Sequence, residues 1–376
     1  MVSRKFGEIP GILVGTLWNS RKEVSESGIH RPPMSGISGT FAEGADSIVV
    51  SGGYEDDEDY GTEIIYTGTG GFDAVSGKQV ADQTFDNTNN AALIRSQLEG
   101  LPILRVIVTH MHPDHIGLAA WLCEKWSAPL WMTMTDYLLA KWLSGPEGAS
   151  VGSAAGGGGA ADHFAKHGLN QEEDLVKIRA RANYFSQMVP SVPPRFRRIM
   201  DREKITIGDR VWQVIAGYGH APEHASLWNT QDNLLISGDM VLPRISTNVS
   251  VFDTEPDADP LGLYLSSLER FIDLPEKTLV LPSHGKPFHG LHWRVEQLKT
   301  HHRERLTDTM TACQQAPQTA RDLIPILFKR ELDLHQLTFA MGEAIAHLNY
   351  LWRVGCLSRE ASSDGVWRFF YQKSYL

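Results

Sequence analysis

Four residues able to hold a metal ion, His110, His112, Asp114 and His115, crowd into six positions of this chain. They follow an apolar run over 103–108, which predicts a short buried strand. An amphipathic stretch over 116–126 comes next and predicts a helix. Pro113 and Asp114 suit that helix's first turn, where proline sacrifices no hydrogen bond and a carboxylate meets the positive helix end. His110 and His112 then sit on the loop at the strand's C-terminal end, while Asp114 and His115 point to a second locus a few ångströms away. One short loop can therefore serve two metals. A lone H-x-H pair says little, but H-x-H-x-D-H directly after a buried strand is far rarer by chance.

The remaining candidates also stand where strands end. An alternating pattern over 204–215 predicts a hairpin with Gly208 and Asp209 at its turn, and it runs into His220. Strands are expected over 225–229 and 234–237, the second delivering Asp239. A strand over 279–282 delivers His284. His224, four residues beyond His220, reads as a residue that orients a ligand rather than as one. His289, His292, His301 and His302 read as solvent-facing or packing residues.

Between the two sets of candidates, the pattern predicts a strand over 129–133 and a helix over 135–143. A glycine- and alanine-rich loop is expected over 144–161 and helix over 162–188, stopped by the prolines from Pro190 to Pro194. This insertion reads as a lid over the site or as a surface insertion. The C-terminal part predicts helices over 301–313, 319–329 and 337–354. A hairpin then pairs 357–359 with 366–371 across Asp364 and Gly365.

A length of 376 residues suggests two or three domains, and 42% hydrophobic residues supply ample core. The net charge of −10 argues against a general polyanion binder. Cys123, Cys313 and Cys356 show no pairing or metal spacing, which suits a reducing cytoplasm. Residues 1–15 lack the apolar core of a signal peptide, and no run approaches 18 apolar residues, so no membrane role is expected.

The four blocks ending in His110/His112/Asp114/His115, His220, Asp239 and His284 resemble, in that order, the metallo-β-lactamase superfamily over about residues 103–300. The resemblance implies an α/β fold with an αββα sandwich and a binuclear centre. His110, His112 and His220 are implied to bind one metal, Asp114, His115 and His284 the other, and Asp239 to bridge them. Imidazole and carboxylate ligands suit two Zn²⁺ ions, with Fe or Mn sharing the same donors. Asp114 is also implied to orient the attacking hydroxide. Family members normally begin with a β-meander that this chain does not spell out. Either the sandwich lacks its first strands or the N-terminal segment stands in for them. The three C-terminal helices and hairpin resemble the winged-helix-like tail of some family members, a part that covers the site, makes a homodimer contact or touches nucleic acid.

Residues 1–103 resemble the SRA, or YDG, domain that recognises modified cytosine. The resemblance is carried by Phe6-Gly-Glu-Ile-Pro-Gly11, Val24-Ser-Glu-Ser-Gly-Ile-His-Arg-Pro32 and Glu43-Gly-Ala-Asp-Ser47. It is strongest in Gly52-Gly-Tyr-Glu-Asp-Asp-Glu-Asp59 and Tyr66-Thr-Gly-Thr-Gly-Gly71. It implies a pocket in which Tyr54 and Tyr66 sandwich an extruded base and Asp57 and Thr67 bond its edge. The domain's later half is missing, and its base-replacing finger reads Gly77-Lys78-Gln79. Seven Lys+Arg against fifteen Asp+Glu in residues 1–103 leave a net of −8, a poor grip on phosphates. DNA is therefore a disfavoured partner.

The chain thus reads as three units: an SRA-like segment (1–103), a metallo-β-lactamase-like catalytic domain (104–300) and a helical tail (301–376). The expected activity is metal-dependent hydrolysis of a small thioester or ester, in the style of hydroxyacylglutathione hydrolases. A lactonase is disfavoured because Leu242 replaces the tyrosine often found after the bridging aspartate, and a β-lactamase because those enzymes lack the Asp239 bridge. The competing readings are an SRA-type modified-DNA-binding module with an inactive metal domain, or a metal-dependent nuclease.

Overall fold

The computed structural model describes residues 103–146, 148, 157–181, 184–207 and 210–373, with the backbone of three earlier strands. Those strands are β1 (Ile12–Thr16), β2 (Ser38–Thr40) and β3 (Ser47–Val50). Tyr54, Asp57, Tyr66 and Thr67 lie outside the described residues, as do Gly208 and Asp209 of the expected turn.

Two sheets face each other. The first contains β1–β3 with β4 (Val106–Val108), β5 (Leu130–Met132) and β6 (Phe196–Arg198), in the order β2-β1-β3-β4-β5-β6. The second contains β7 (Lys204–Ile207), β8 (Arg210–Gly217), β9 (His224–Asn229), β10 (Leu234–Gly238) and β11 (Leu279–Pro282), in the order β11-β10-β9-β8-β7. The N-terminal segment does stand in for opening strands: β3 runs parallel to β4, with Ile48 opposite Val106 and Val50 opposite Val108.

Alternation of side chains builds the layers. Val106 and Val108 face one way, into a core with Ile116, Leu122, Tyr137 and Ala140. Ile107 faces the other way and meets Trp212, Val214, Leu227 and Ile236 of the second sheet. Leu235 and Val280 turn to that sheet's outer face, where helices cover them. The result is helix, sheet, sheet, helix. Burying these apolar side chains contributes about 1.5–3 kcal/mol each before the entropy of ordering them is subtracted.

The helices differ from expectation mainly at their ends. The strand expected over 103–108 is only β4, because Leu104 is exposed and the chain enters the sheet at Val106. The helix expected over 116–126 is two, α1 (Pro113–Ile116) and α2 (Ala119–Trp126). α3 (Met134–Leu143) matches closely. The insertion holds α4 (Gly158–Lys166), α5 (Glu172–Arg179) and α6 (Tyr184–Met188), so helix begins inside the stretch expected to be a flexible loop. Nor are α4 and α5 a surface addition. Phe164, Leu175 and Ile178 share a core with the C-terminal Ala320 and Leu323.

α7 (Pro260–Ile272) is capped by Asp259, which accepts from the Gly262 N–H. The tail holds α8 (Leu291–Gln315), α9 (Ala320–Leu327) and α10 (Leu334–Arg353), then the hairpin β12 (Leu357–Ala361) and β13 (Trp367–Tyr371). Thr319 and Asp322 form a capping box on α9, and Asp333 and Gln336 another on α10, each satisfying otherwise unpaired backbone groups. α8 crosses residue 300 without a break. Val249, Val251 and Tyr264 of the preceding region share one core with Met341 and Ile345 of the tail. No helix among the described residues is long and apolar enough to cross a membrane.

Candidate metal centre

All seven residues singled out in the metal motifs meet at one end of the sandwich. They fall into two groups of potential ligand atoms, each within 4.8 Å of one another: His110, His112, His220 and Asp239 in one, Asp114, His115 and His284 in the other. Asp239 joins the groups. Its Oδ2 lies 3.3 Å from His220 Nε2, 3.9 Å from His110 Nε2, 3.4 Å from His115 Nε2 and 3.3 Å from His284 Nε2. Asp114 lies 3.3 Å from His115 Nε2 and 3.6 Å from His284 Nε2.

The strands deliver these residues by their register. The Ala225 N–H donates to the Thr109 carbonyl, tying the start of β9 to the end of β4. Gly238 ends β10 with a left-handed φ of +54°, and a Cβ there would stand 2.2 Å from His224 Nε2. Only glycine fits this approach. It lets the Asp239 N–H donate to His224 Nε2 at 3.1 Å, so His224 fixes the loop that carries Asp239 and belongs to neither donor group. Thr247 Oγ1 donates to the Asp239 carbonyl and Tyr264 Oη to that of Met240, holding the same loop from the other side.

Imidazole tautomers follow from fixed partners. His220 Nδ1 lies 2.7 Å from the Asn248 carbonyl, which can only accept, so the ring's proton sits there. Its Nε2 lone pair then faces His110 Nε2 at 3.2 Å, and His112 Nδ1 lies 2.9 Å from the same atom. Three ring nitrogens converging in this way require a cation or a proton between them. Asp239 Oδ1 is buried with no hydrogen-bond partner. Converging imidazoles and an unsatisfied carboxylate oxygen are what a pair of divalent d-block cations would satisfy. The residues present fit such a metal centre.

The electrostatics agree. Burial holds His110 well below its ordinary range and His112 down to about 3, helped by neighbouring rings. Burial also opposes charge on His115, but the Asp114 and Asp239 carboxylates outweigh it and push that ring up to about 10. Against its own burial, Asp114 is held at about 2 by His115 and His284. Asp239 is held low by His284 and His115 in the same way. A buried Asp239 and a half-buried Asp114 in one site demand positive charge beside them.

One residue of the site escapes a reading of the sequence. Asp136, wholly buried on α3, accepts from the Met111 N–H at 2.8 Å and from the Glu223 N–H at 2.6 Å. Thr133 Oγ1 donates back to the Glu223 carbonyl at 2.7 Å. The clamp locks the two histidine loops together. Burial raises the Asp136 carboxyl to about 7, although both backbone bonds pull it down.

The tail reaches the site through backbone. The Val251 N–H donates to the Gly342 carbonyl of α10, and a Cβ on Gly342 would stand 2.7 Å from Ser250 Oγ. Ser250 Oγ donates to Asn248 Oδ1, on the residue whose carbonyl orients His220.

Comparisons with known proteins agree with this geometry. A family model described as "Metallo-beta-lactamase superfamily" matches residues 71–284, and "Metallo-beta-lactamase-like, C-terminal domain" matches 306–373. A "SAD/SRA domain" model matches 5–120, overlapping the first of these. E3 ubiquitin-protein ligase UHRF1 of Bos taurus is 53% identical over 93 residues, 24% of this chain and 12% of that protein. A UHRF1-like protein of Cryptococcus neoformans is 46% identical over 114 residues, 28% of this chain and 33% of that protein. This chain thus spans only a small part of these curated relatives. Among solved structures, a beta-lactamase domain protein from Burkholderia ambifaria is 50% identical, with a TM-score of 0.69, covering 76% of this chain and 80% of that one. A metallo-beta-lactamase family protein from Thermus thermophilus is 25% identical, with a TM-score of 0.60, covering 76% and 86%. With its paired donor groups between two sheets, and an SAD/SRA-type segment ahead of them, this chain belongs to the metallo-β-lactamase superfamily of metal-dependent hydrolases.

Proposed function

We propose that this protein is a binuclear metal-dependent hydrolase of a small thioester or ester, similar in chemistry to hydroxyacylglutathione hydrolases. The observation that carries the reading is Asp239, whose one carboxylate oxygen lies within 4 Å of imidazole nitrogens from both donor groups. In this assignment His110, His112 and His220 would hold one cation and Asp114, His115 and His284 the other, with Asp239 placed to serve both. Zn²⁺ suits the donors, and Fe or Mn are the alternatives. Such a pair supplies Lewis acidity that lowers the pKa of water towards about 7 and polarises a carbonyl oxygen.

The protein side chains do the positioning. His110 and His115 are wholly buried, whereas His112 and Asp114 are partly exposed, so substrate and water approach past the latter pair. Asp114, held ionised, accepts a hydrogen bond from the attacking water and orients it. Asn248 and His224 hold His220 and the Asp239 loop in place, so little reorganisation accompanies the reaction.

The functional units proposed are the N-terminal segment (1–103), the catalytic region (104–300) and the tail (301–376), with α8 linking the last two. Three free cysteines suit the cytoplasm. A second reading, a modified-DNA-binding module with a passenger metal domain, rests on the SAD/SRA match, and the net of −8 in residues 1–103 weighs against it. A nuclease is disfavoured by the overall −10. Elemental analysis of protein purified without chelator, with a panel of thioester, lactone and phosphodiester substrates, tests the proposal. About two ions per chain and thioester or ester turnover are expected. Folded protein without stoichiometric metal overturns it.

A further inference from the structure

A second set of ligand-type residues lies in the tail, built from helices rather than strand ends. His301 and His302 of α8 and Glu343 of α10 each offer one donor atom, all within 4.8 Å of one another. His302 is wholly buried, while His301 and Glu343 are half-buried, leaving a way in from solvent.

The hydrogen bonds behind His302 settle which of its nitrogens is available. His347 Nδ1 lies 2.8 Å from the Glu343 backbone carbonyl, one helical turn earlier, so that nitrogen carries the proton. Both rings are wholly buried, where an imidazole stays neutral unless an anion pairs with it. His347 Nε2 is then a bare acceptor, and His302 Nδ1, 3.3 Å away, must donate to it. That leaves the lone pair on His302 Nε2, a buried atom with no hydrogen-bond partner. A histidine whose other nitrogen is fixed by a donated hydrogen bond is the arrangement found behind metal ligands. A buried lone pair with nothing to accept is otherwise a cost.

We propose that His301, His302 and Glu343 form a third metal site, for Zn²⁺ or a similar d-block cation, that ties α8 to α10, with His347 as the orienting residue. Two imidazoles and a carboxylate suit such an ion and leave a fourth position for water. Two donors on one tetrahedral cation stand about 3.4 Å apart, so side-chain rotation of Glu343 and His301 by about 1–1.5 Å closes the triad. Arg305, whose charge acts on both Glu343 and His301, opposes the cation and sets this site as weaker than the main centre. The site shares no residue with the main centre and does not depend on what that centre hydrolyses.

The test is equilibrium dialysis of the full-length protein against micromolar Zn²⁺, with bound metal counted by elemental analysis. Wild type, His301→Ala, Glu343→Gln and, separately, His110→Ala are compared. The first two variants alter half-buried groups, and circular dichroism verifies their fold. Each is expected to hold one ion fewer than wild type while keeping its hydrolytic activity. His110→Ala is expected to lose metal from the main centre and keep the tail ion. Equal metal content in wild type, His301→Ala and Glu343→Gln overturns the proposal and leaves His302 and His347 as a hydrogen-bonded packing pair. Loss of metal only in His110→Ala overturns it equally while sparing the reading of the main centre.

Discussion

The strand-end centre and the tail cluster use the same residue types in opposite ways. At the strand ends, seven side chains arrive from four loops, and two carboxylates keep the site hungry for positive charge. In the tail, three imidazoles meet one carboxyl, and burial disfavours charge on every one of these groups. Strand ends converge because a sheet lays them side by side. Helix faces bring residues together at one-turn spacing, as Glu343 and His347 on α10, or across a packed pair of helices, as His302 and His347. The first arrangement is suited to chemistry on a substrate, the second to holding two helices together.

The sharpest way to break this contrast is to remove a shared ligand. Asp239→Ala and His115→Ala are each expected to reduce hydrolysis by about a thousandfold or more, because a lost bridge or ligand removes the Lewis acid's hold on water. His292→Ala, whose ring only bonds the Leu274 carbonyl, is expected to change activity less than about twofold. Comparable rates in all three variants would show that the strand-end site is misassigned.

A smaller effect is expected one step back from the ligands. Asp136→Ala leaves the buried N–H groups of Met111 and Glu223 unpaired and unlocks the two histidine loops. Metal affinity is expected to fall about 10–100-fold, the usual result of losing a group that orients ligands. Metal titration by competition with a chromophoric chelator measures it, and an unchanged affinity removes Asp136 from the account.

The tail is expected to respond to acid. His302 and His347 have folded pKa values below the unfolded value of about 6.5, so their contribution to stability is full above that pH. It declines as pH falls, at on the order of 1 kcal/mol per pH unit for each ring. The decline ends at about 4 for His347 and about 3 for His302. The double variant His302→Leu/His347→Leu removes this component. The drop in Tm between about pH 7 and about pH 5 should therefore be smaller in the variant than in wild type, and equal drops would count against the burial argument.

The smallest expected effect concerns residues 1–103. Titration against methylated and plain duplex at low salt should show no useful methyl selectivity, and Tyr66→Ala should change nothing. Flipping a base costs a few kcal/mol, and a segment with a net of −8 gains nothing from phosphates. Saturable methyl-dependent binding, abolished by Tyr66→Ala, would promote the DNA-binding reading.

The metal motif is legible in the sequence because its ligands are local and its strands are short, apolar and bounded. Asp136 is not, because a single aspartate in a helix's first turn looks like any favourable helix charge. What singles it out, two backbone donors from loops 25 and 87 residues away, exists only after folding. The helix expected from His301 begins ten residues earlier as α8, and Leu291, Val295, Leu298 and His302 already repeat there at helical spacing. Glycine in 144–161 suggests looseness, whereas Gly157 with φ +108° serves as the turn into α4. The pairing of β3 with β4 is legible only as one of two options, since backbone hydrogen bonds carry no side-chain signature.

The close approach of Gly342 to Ser250 gives the tail a say in evolution and engineering that its distance from the reacting atoms conceals. Any side chain at position 342 must push on Ser250, two residues after Asn248, whose carbonyl orients His220. A substitution at position 342 is therefore expected to be felt at His220. Tails exchanged between relatives should keep their fitness only when position 342 and the loop over 248–251 travel together as one inherited block.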